Sequence, residues 1–534
     1  MKPNSLVLHN AKIYTLDDIL PKASALAIQN GAIVALGETP AILAEFADQA
    51  VCEDMHSQIV IPGLTDAHIH LQHFALSLQK INCETATQLE CIQKVSERAQ
   101  NTQPGTWILG HGWNQNNWAE GFGNAKLLDQ VSPNNPVYLT AKSLHAGWAN
   151  TAAMRLAHLT AGTPDPEGGK FSRDAEGNLS GILFESAMEV INHAMPPPTP
   201  AEIENAILAA FPILWRMGLT GVHDFDRRTC FSALQAIHLD KKLKLRVIKS
   251  IPLEDLPSAV ALGLRTGFGD DFLRIGSIKA FADGALGPHT AAMFQPYEDD
   301  PENRGILFLD AEELYEHGKQ AVEQGLSLAV HAIGDRAIHE VLEAFAQLRQ
   351  LEAGQASGAA FRLRHRIEHV QVIHADDAHR LADLDIIASM QPIHATSDMR
   401  MADRYWGGRS ALSYAWRTQL KHNARLAFGS DAPVESPNPF WGIHAAVTRQ
   451  CQDGSPGVPG WYPSQRLTVL EALQGFTSGA AYAAGMENRL GRLSPGYLAD
   501  LLVLDTDPFT CRSEQLYAIQ PLATMVNGEW VWRI

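Results

Sequence analysis

Apolar runs of strand length recur along this chain. Most are followed by segments whose apolar positions return every three or four residues. Eight runs read as strands, at 61–71, 219–226, 244–251, 273–282, 326–333, 363–370, 386–394 and 425–431. AEELYEHGKQAVEQG from Ala311 and IHEVLEAFAQLRQLEA from Ile338 read as amphipathic helices between them. Eight strands alternating with helices predict an α/β fold, a (β/α)8 TIM barrel, with chemistry at the C-terminal strand ends.

The two ends of the chain break this alternation. SLVLHNAKIYTLD, ALAIQNGAIVALG, ADLLVLDTDP and ATMVNGEWVWRI are β-rich, with hairpin signals at Asn30-Gly31 and Asn527-Gly528. Neither end holds enough strands for a stable sheet, so the termini are expected to pair into one small composite β-sandwich. The stretch after the first barrel strand is too long for a loop. It carries Trp107, Trp113, Trp118 and Trp148, and MPPPTP at 195–200 reads as a rigid return. We expect an inserted subdomain or lid there. The organisation is then 1–58 and 486–534 for the sandwich, 59–71 and 201–485 for the barrel, and 72–200 for the insertion.

Composition narrows the function. A hydrophobic fraction of 46% and a charged fraction of 19% fit a soluble globular protein. The net charge of -17 opposes nonspecific binding to nucleic acid or an anionic membrane. No apolar run reaches the roughly 18 residues of a membrane span. Cys52, Cys83, Cys91, Cys230, Cys451 and Cys511 are scattered without a CxxC pair. Reduced thiols in a cytoplasmic protein are therefore expected, with no disulfide scaffold and no thiolate zinc site. A small molecule is the expected partner, and a homodimer is the one assembly left open.

Six polar side chains fall at or near the predicted strand ends: His68, His70, Lys279, His331, His369 and Asp431. A strand repeats its faces every two residues, so His68 and His70 of DAHIH point the same way and can grip one ion. Taken singly, His331 in LSLAVHAIGDRA and His369 in RHRIEHVQ also read as satisfied core histidines. Asp431 in LAFGSDAPV follows a buried strand, where a carboxylate needs a cation or donors. A buried Lys279 must be paired or neutralised. It either forms an ion pair with Asp283 or another carboxylate, or is carbamylated by carbon dioxide into a carboxylate-like bridge between two cations. Two divalent ions, zinc first among the first-row metals, suit imidazole and oxygen ligands. They would share a water and lower its pKa, with Asp431 as the proton carrier and a metal-activated hydroxide as the nucleophile. His111 and Trp113 of GHGWNQNNW, His289 and His394 are further candidates for substrate contact. For each, a structural role is the competing reading.

The motifs IPGLTDAHIHL, HAGWANTAA, IKAFADGALG, HAIGDRA, RIEHVQ, QPIHA, FGSDAPV and GRLSPGYLADLLVLD together resemble the amidohydrolase superfamily. Within it, the chain is similar to the large-insertion branch of N-substituted formamide deformylase and YtcJ-like proteins. The resemblance runs along almost the whole chain. It implies His68 and His70 on one metal, carbamylated Lys279 as the bridge, His331 and His369 on the second metal, and Asp431 as ligand and proton shuttle. It also implies the composite sandwich. Two positions depart from the branch. Asn114 follows HGW where an acidic residue is usual, and Pro288-His289 replace Ser-Arg, which removes a fixed cation. Both bear on substrate identity and leave the metal set intact.

The expected activity is hydrolysis of a non-peptide carbon–nitrogen bond, an N-acyl or N-formyl amide. A ring deaminase with one metal is the alternative within enzymes. A non-catalytic or regulatory barrel is the alternative outside them.

Overall fold

The computed structural model describes residues 5–115, 118–142, 145–355 and 362–534. Its central element is a sheet of eight parallel strands in sequence order. They are β1 (Leu64–Ile69), β2 (Leu219–Asp224), β3 (Arg246–Pro252), β4 (Leu273–Phe281), β5 (Leu328–Ala332), β6 (Arg366–His369), β7 (Ile387–Met390) and β8 (Leu426–Phe428). The edges meet just past β8. Asp431 N–H donates to the His68 carbonyl at 2.7 Å, and His70 N–H donates to the Ala432 carbonyl at 2.9 Å. Nearly every strand position is buried, polar ones included, because both faces are covered. The predicted eight-stranded TIM barrel is the fold. Helices flank it, such as Ala311–Gln324, which starts at an Asp310/Glu313 capping box and stops at left-handed Gly325.

Two boundaries differ from the sequence reading. The run 61–71 is two strands. Ile59–Pro62 pairs with Leu501–Leu504 in the sandwich, and β1 begins after Gly63. A Cβ on Gly63 would lie 2.4 Å from Thr220 of β2, so only glycine lets the chain pass there. The run 386–394 is also cut short. Pro392 opens the helix Pro392–Trp406, which places His394 on a helix rather than a strand.

The terminal segments build two sheets around one core that includes Leu8, Ile28, Val60, Leu501 and Met525. One sheet uses N-terminal strands alone. The other runs Glu529–Arg533, Pro521–Val526, Leu501–Leu504, Ile59–Pro62, Lys12–Tyr14, Lys22–Ala23, so it is composite as expected. Asn30-Gly31 and Asn527-Gly528 both adopt positive φ, the conformation an Asn-Gly hairpin turn needs. Arg246 at the start of β3 joins this layer through a buried bidentate pair with Asp500, at 2.6 and 2.7 Å.

Residues 75–206 form a separate compact unit. It contains a six-stranded sheet and a core with Trp113, Trp118 and Trp148. Asn150 of HAGWANTAA is fully buried there. Its side chain accepts from Val137 N–H and caps the helix Thr151–Leu156.

Gly63→Ala is expected to destabilise the protein by about 1–3 kcal/mol through overpacking. Gly408, which has open space around its Cβ position, is the control. Gly408→Ala should stay within about 0.5 kcal/mol. Paired denaturation midpoints check this, and equal midpoints would refute the close-approach argument.

Candidate metal centre

The barrel geometry brings the six strand-end residues to one cavity of about 320 Å³. His68 is the penultimate residue of β1, buried to 1% exposure, and His70 follows just past the strand end. Their Nε2 atoms lie 3.5 and 3.4 Å from the same Asp431 oxygen, Oδ1. His331 lies on β5 and His369 ends β6, with ring centroids 4.5 Å apart. His68 and His369 are 5.0 Å apart by the same measure. Lys279 projects from β4 into this group.

Hydrogen bonds to the far side of each ring decide what these imidazoles can do. His68 Nδ1 sits 2.6 Å from Glu368 Oε2, and His70 Nδ1 sits 3.2 Å from Asp226 Oδ1. His369 Nδ1 meets Gln391 Oε1 at 2.8 Å, and His331 Nε2 meets the Gly284 carbonyl at 2.9 Å. An oxygen acceptor holds the proton on the nitrogen it faces. His68, His331 and His369 are thereby each left with one lone pair, and His70 gains one on giving up the proton it holds toward Asp431. Four imidazoles pinned in this way form a donor set suited to metal ions.

His394 differs. Its Nδ1 faces the Gln371 Nε2 amide at 3.4 Å, so the ring proton belongs on Nε2, which is buried without a partner. His369, His394 and Asp431 do place ligand-type atoms within 4.8 Å of one another. The Gln371 contact nonetheless makes His394 a hydrogen-bond donor rather than a ligand.

Electrostatics agree with the hydrogen bonds. Burial lowers His68 to about 4 and His331 to about 3, and drives His369 well below its usual range, so these rings are neutral at pH 7. Burial also works against charge on His70, but its bonds to Asp226 and Asp431 raise it to about 9. Burial works to protonate Asp431, yet the surrounding histidines hold it well below the carboxylate range. Together these groups favour a cation at their centre.

Lys279 Nζ is buried with no hydrogen-bond partner. It lies over the rings of Phe225 and Phe281, 4.8 Å from each centroid. Burial lowers its pKa to about 8, against the pull of Glu368 and Asp431. The ion pair with Asp283 considered from sequence does not form. The Asp283 carboxylate instead accepts the backbone N–H groups of Ala292, Ile333 and Gly334. An orphaned amine among lone-pair donors fits a lysine that is to become a bridging carboxylate.

Backbone geometry adds to the fixed arrangement. His369 and Asp431 both adopt left-handed φ, 77° and 60°, which is costly for such residues and concentrates where function requires it. Asp66 fastens β1 to β8 beneath the site. It accepts from His68 N–H and Ser430 N–H at 3.0 Å each, and burial raises its pKa to about 7.

Other sequence candidates sit elsewhere. Trp113 does not line a pocket. It is fully buried in the core of its own unit, with Nε1 donating to the Leu139 carbonyl at 2.8 Å. His111 is exposed on the strand Ile108–Trp113, 2.9 Å from Thr140 Oγ1. Asn116 and Asn117 of the same motif lie outside the described residues. His289 is stacked on Tyr297 at 4.7 Å and packed edge-on to Tyr405, so its ring is held by these aromatics rather than presented to the cavity. Glu368, Asp226 and Gln391 were not singled out from sequence. The signals available were a second acid beside His369 in RIEH, an acid at the end of β2, and an amide at the end of β7.

Asp226 also accepts from Gln72 N–H and contacts His73 Nδ1. Asp226→Asn should therefore free the His70 ring and weaken metal affinity by roughly 10–100-fold. Competition with a chelator measures it, and unchanged affinity would remove His70 from the ligand set.

The comparisons agree with this geometry. A family model described as "Amidohydrolase family" matches residues 53–532. Protein LONG AFTER FAR-RED 3 of Arabidopsis thaliana is 33% identical, over 99% of this chain and 91% of its own. The N-substituted formamide deformylase of Arthrobacter pascens is 28% identical, over 98% and 97%. A crystal structure of an uncharacterized metal-dependent hydrolase from Pyrococcus furiosus superposes with a TM-score of 0.79 at 28% identity, covering 95% of this chain and 100% of that one. With this barrel, this donor set and a match along nearly its full length, the chain belongs to the amidohydrolase family.

Proposed function

We propose that this protein is a metal-dependent hydrolase of a non-peptide carbon–nitrogen bond, an N-formyl or N-acyl amide, working with two divalent ions bridged by carbamylated Lys279. The observation that carries this reading is the convergence of four pinned imidazoles and Asp431 on a buried, unpartnered lysine amine. The likeness to a formamide deformylase supports the choice of bond.

His68 and His70 would hold one ion, and His331 and His369 the other, with Asp431 as a further ligand. Zinc suits this nitrogen and oxygen set. Bound metal supplies Lewis acidity, which lowers the pKa of water and polarises a carbonyl. Lys279 takes its part as a neutral amine, adding its nitrogen to carbon dioxide and releasing one proton. Its low pKa, set by burial, makes that neutral form accessible.

Asp431 accepts the proton that the attacking water loses and returns it to nitrogen as the carbon–nitrogen bond breaks. The water oxygen ends on the acyl carbon, and the amine leaves with its proton restored. His394 Nε2–H, free of any protein acceptor, is in place to donate to the carbonyl oxygen as negative charge develops there. Glu368 and Asp226 keep the His68 and His70 rings from turning.

Metal content per chain, measured on protein purified with bicarbonate, tests the bridge. Wild type should hold about two ions and Lys279→Ala about one or fewer. One ion in both would favour a ring deaminase, and none in either a non-catalytic barrel. His68→Ala and Asp431→Ala should each lower kcat/KM on N-alkylformamides by at least roughly 10³-fold while the fold is kept. Near-normal turnover in either variant would refute the site.

A further inference from the structure

The cavity has a second wall, of which the hydrolytic reading uses only His394. The helix Pro392–Trp406 turns His394, Ser397, Asp398 and Met401 toward it. These are positions i, i+3, i+4 and i+7, one stripe of a helix. Glu435, four residues beyond Asp431, completes this wall.

Its polar chemistry is one-sided. Asp398 Oδ2 accepts the Tyr414 hydroxyl at 2.5 Å, but no lysine or arginine pairs with Asp398 or Glu435 among the described residues. Two other acids on nearby elements are matched, Asp299 by Arg404 at 3.2 Å and Glu471 by Arg417 at 2.6 Å. Among the described residues lining the cavity there is no arginine, and no lysine except Lys279. A carboxylate-bearing substrate would normally be held by a guanidinium fork. Here it would face two unmatched carboxylates instead.

An independent observation points the same way. Gln371 is 4% exposed, and its Oε1 is buried without a partner on this cavity. That orphaned acceptor calls for an N–H donor from a ligand, since leaving it unmet costs free energy. Leu286 and Met401 add apolar surface to the same cavity.

We infer that the outer wall selects an amide whose amine side ends in a second, positively charged nitrogen, carried on a short alkyl linker that the 320 Å³ cavity can hold. The inference rests on the amide-hydrolysis reading for the bond that is cut. The metal ligands grip the acyl end, and Asp398, Glu435 and Gln371 receive the ammonium end.

Three amides of matched length test it on the metal-loaded protein: N-formyl-diaminobutane, N-formyl-pentylamine and N-formyl-aminopentanoate. Their far ends are cationic, neutral and anionic. The cationic amide should exceed the anionic one in kcat/KM by roughly tenfold or more, the worth of a charge-assisted hydrogen bond. Asp398→Asn with Glu435→Gln should remove that preference, and each single variant should narrow it. Calorimetric binding of diaminobutane, pentylamine and aminopentanoate gives a readout that needs no turnover. The diamine should bind more tightly than the amino acid, again by roughly tenfold. If no amide is cleaved but the diamine keeps its advantage, the wall's selectivity stands and the amide reading falls. Equal affinities, or a preference for the anionic member in either assay, would overturn the inference.

Discussion

Lys279 ends in an amine that is buried, faces two phenylalanine rings and donates to nothing. A polar group in that position is costly unless something compensates it. Glu368 and Asp431 attract it electrostatically, but no acceptor is close enough to bond. The rest of the site is arranged around this unmet demand. The nearby imidazoles are pinned at one nitrogen by carboxylate, amide and carbonyl oxygens, and none of their nitrogens lies within hydrogen-bond reach of the amine.

That arrangement needs stiffness, and the fold supplies it at the strand ends. His369 and Asp431 sit in left-handed backbone that the surrounding packing must hold in place. Gly429 lets β8 come so near β1 that a Cβ would lie 2.4 Å from the His68 nitrogen. Asp66 then ties the two strands through His68 and Ser430. First and last strands are locked together at the point where their ligands share Asp431.

The barrel was readable in the chain because most of its strands lie in apolar runs that alternate with helical patterns, and a buried strand has little choice of face. The six strand-end residues were readable because a polar residue closing such a run is unusual. Their supports were hidden by distance along the chain. Glu368 meets His68 across 300 residues, and Asp226 meets His70 across 156. No local periodicity encodes such pairs. Trp113 misled for a related reason. An aromatic beside glycine and histidine can face a ligand or fill a core, and only the tertiary neighbours Trp118 and Trp148 show that it fills one. Pro62-Gly63 was read through as strand because the apolar pattern continues unbroken. The break is steric, set by Thr220 on another element.

The strand Ile59–Pro62 lies between Lys12–Tyr14 on one side and Leu501–Leu504 on the other. In chain order the first neighbour comes shortly before it and the second follows far later. During vectorial synthesis this strand therefore waits with one hydrogen-bonding edge bare, the kind of edge that recruits foreign strands. It is also the strand that leads directly into β1 and His68. A chain whose later strands are still missing keeps an open seam where the sandwich leads into β1.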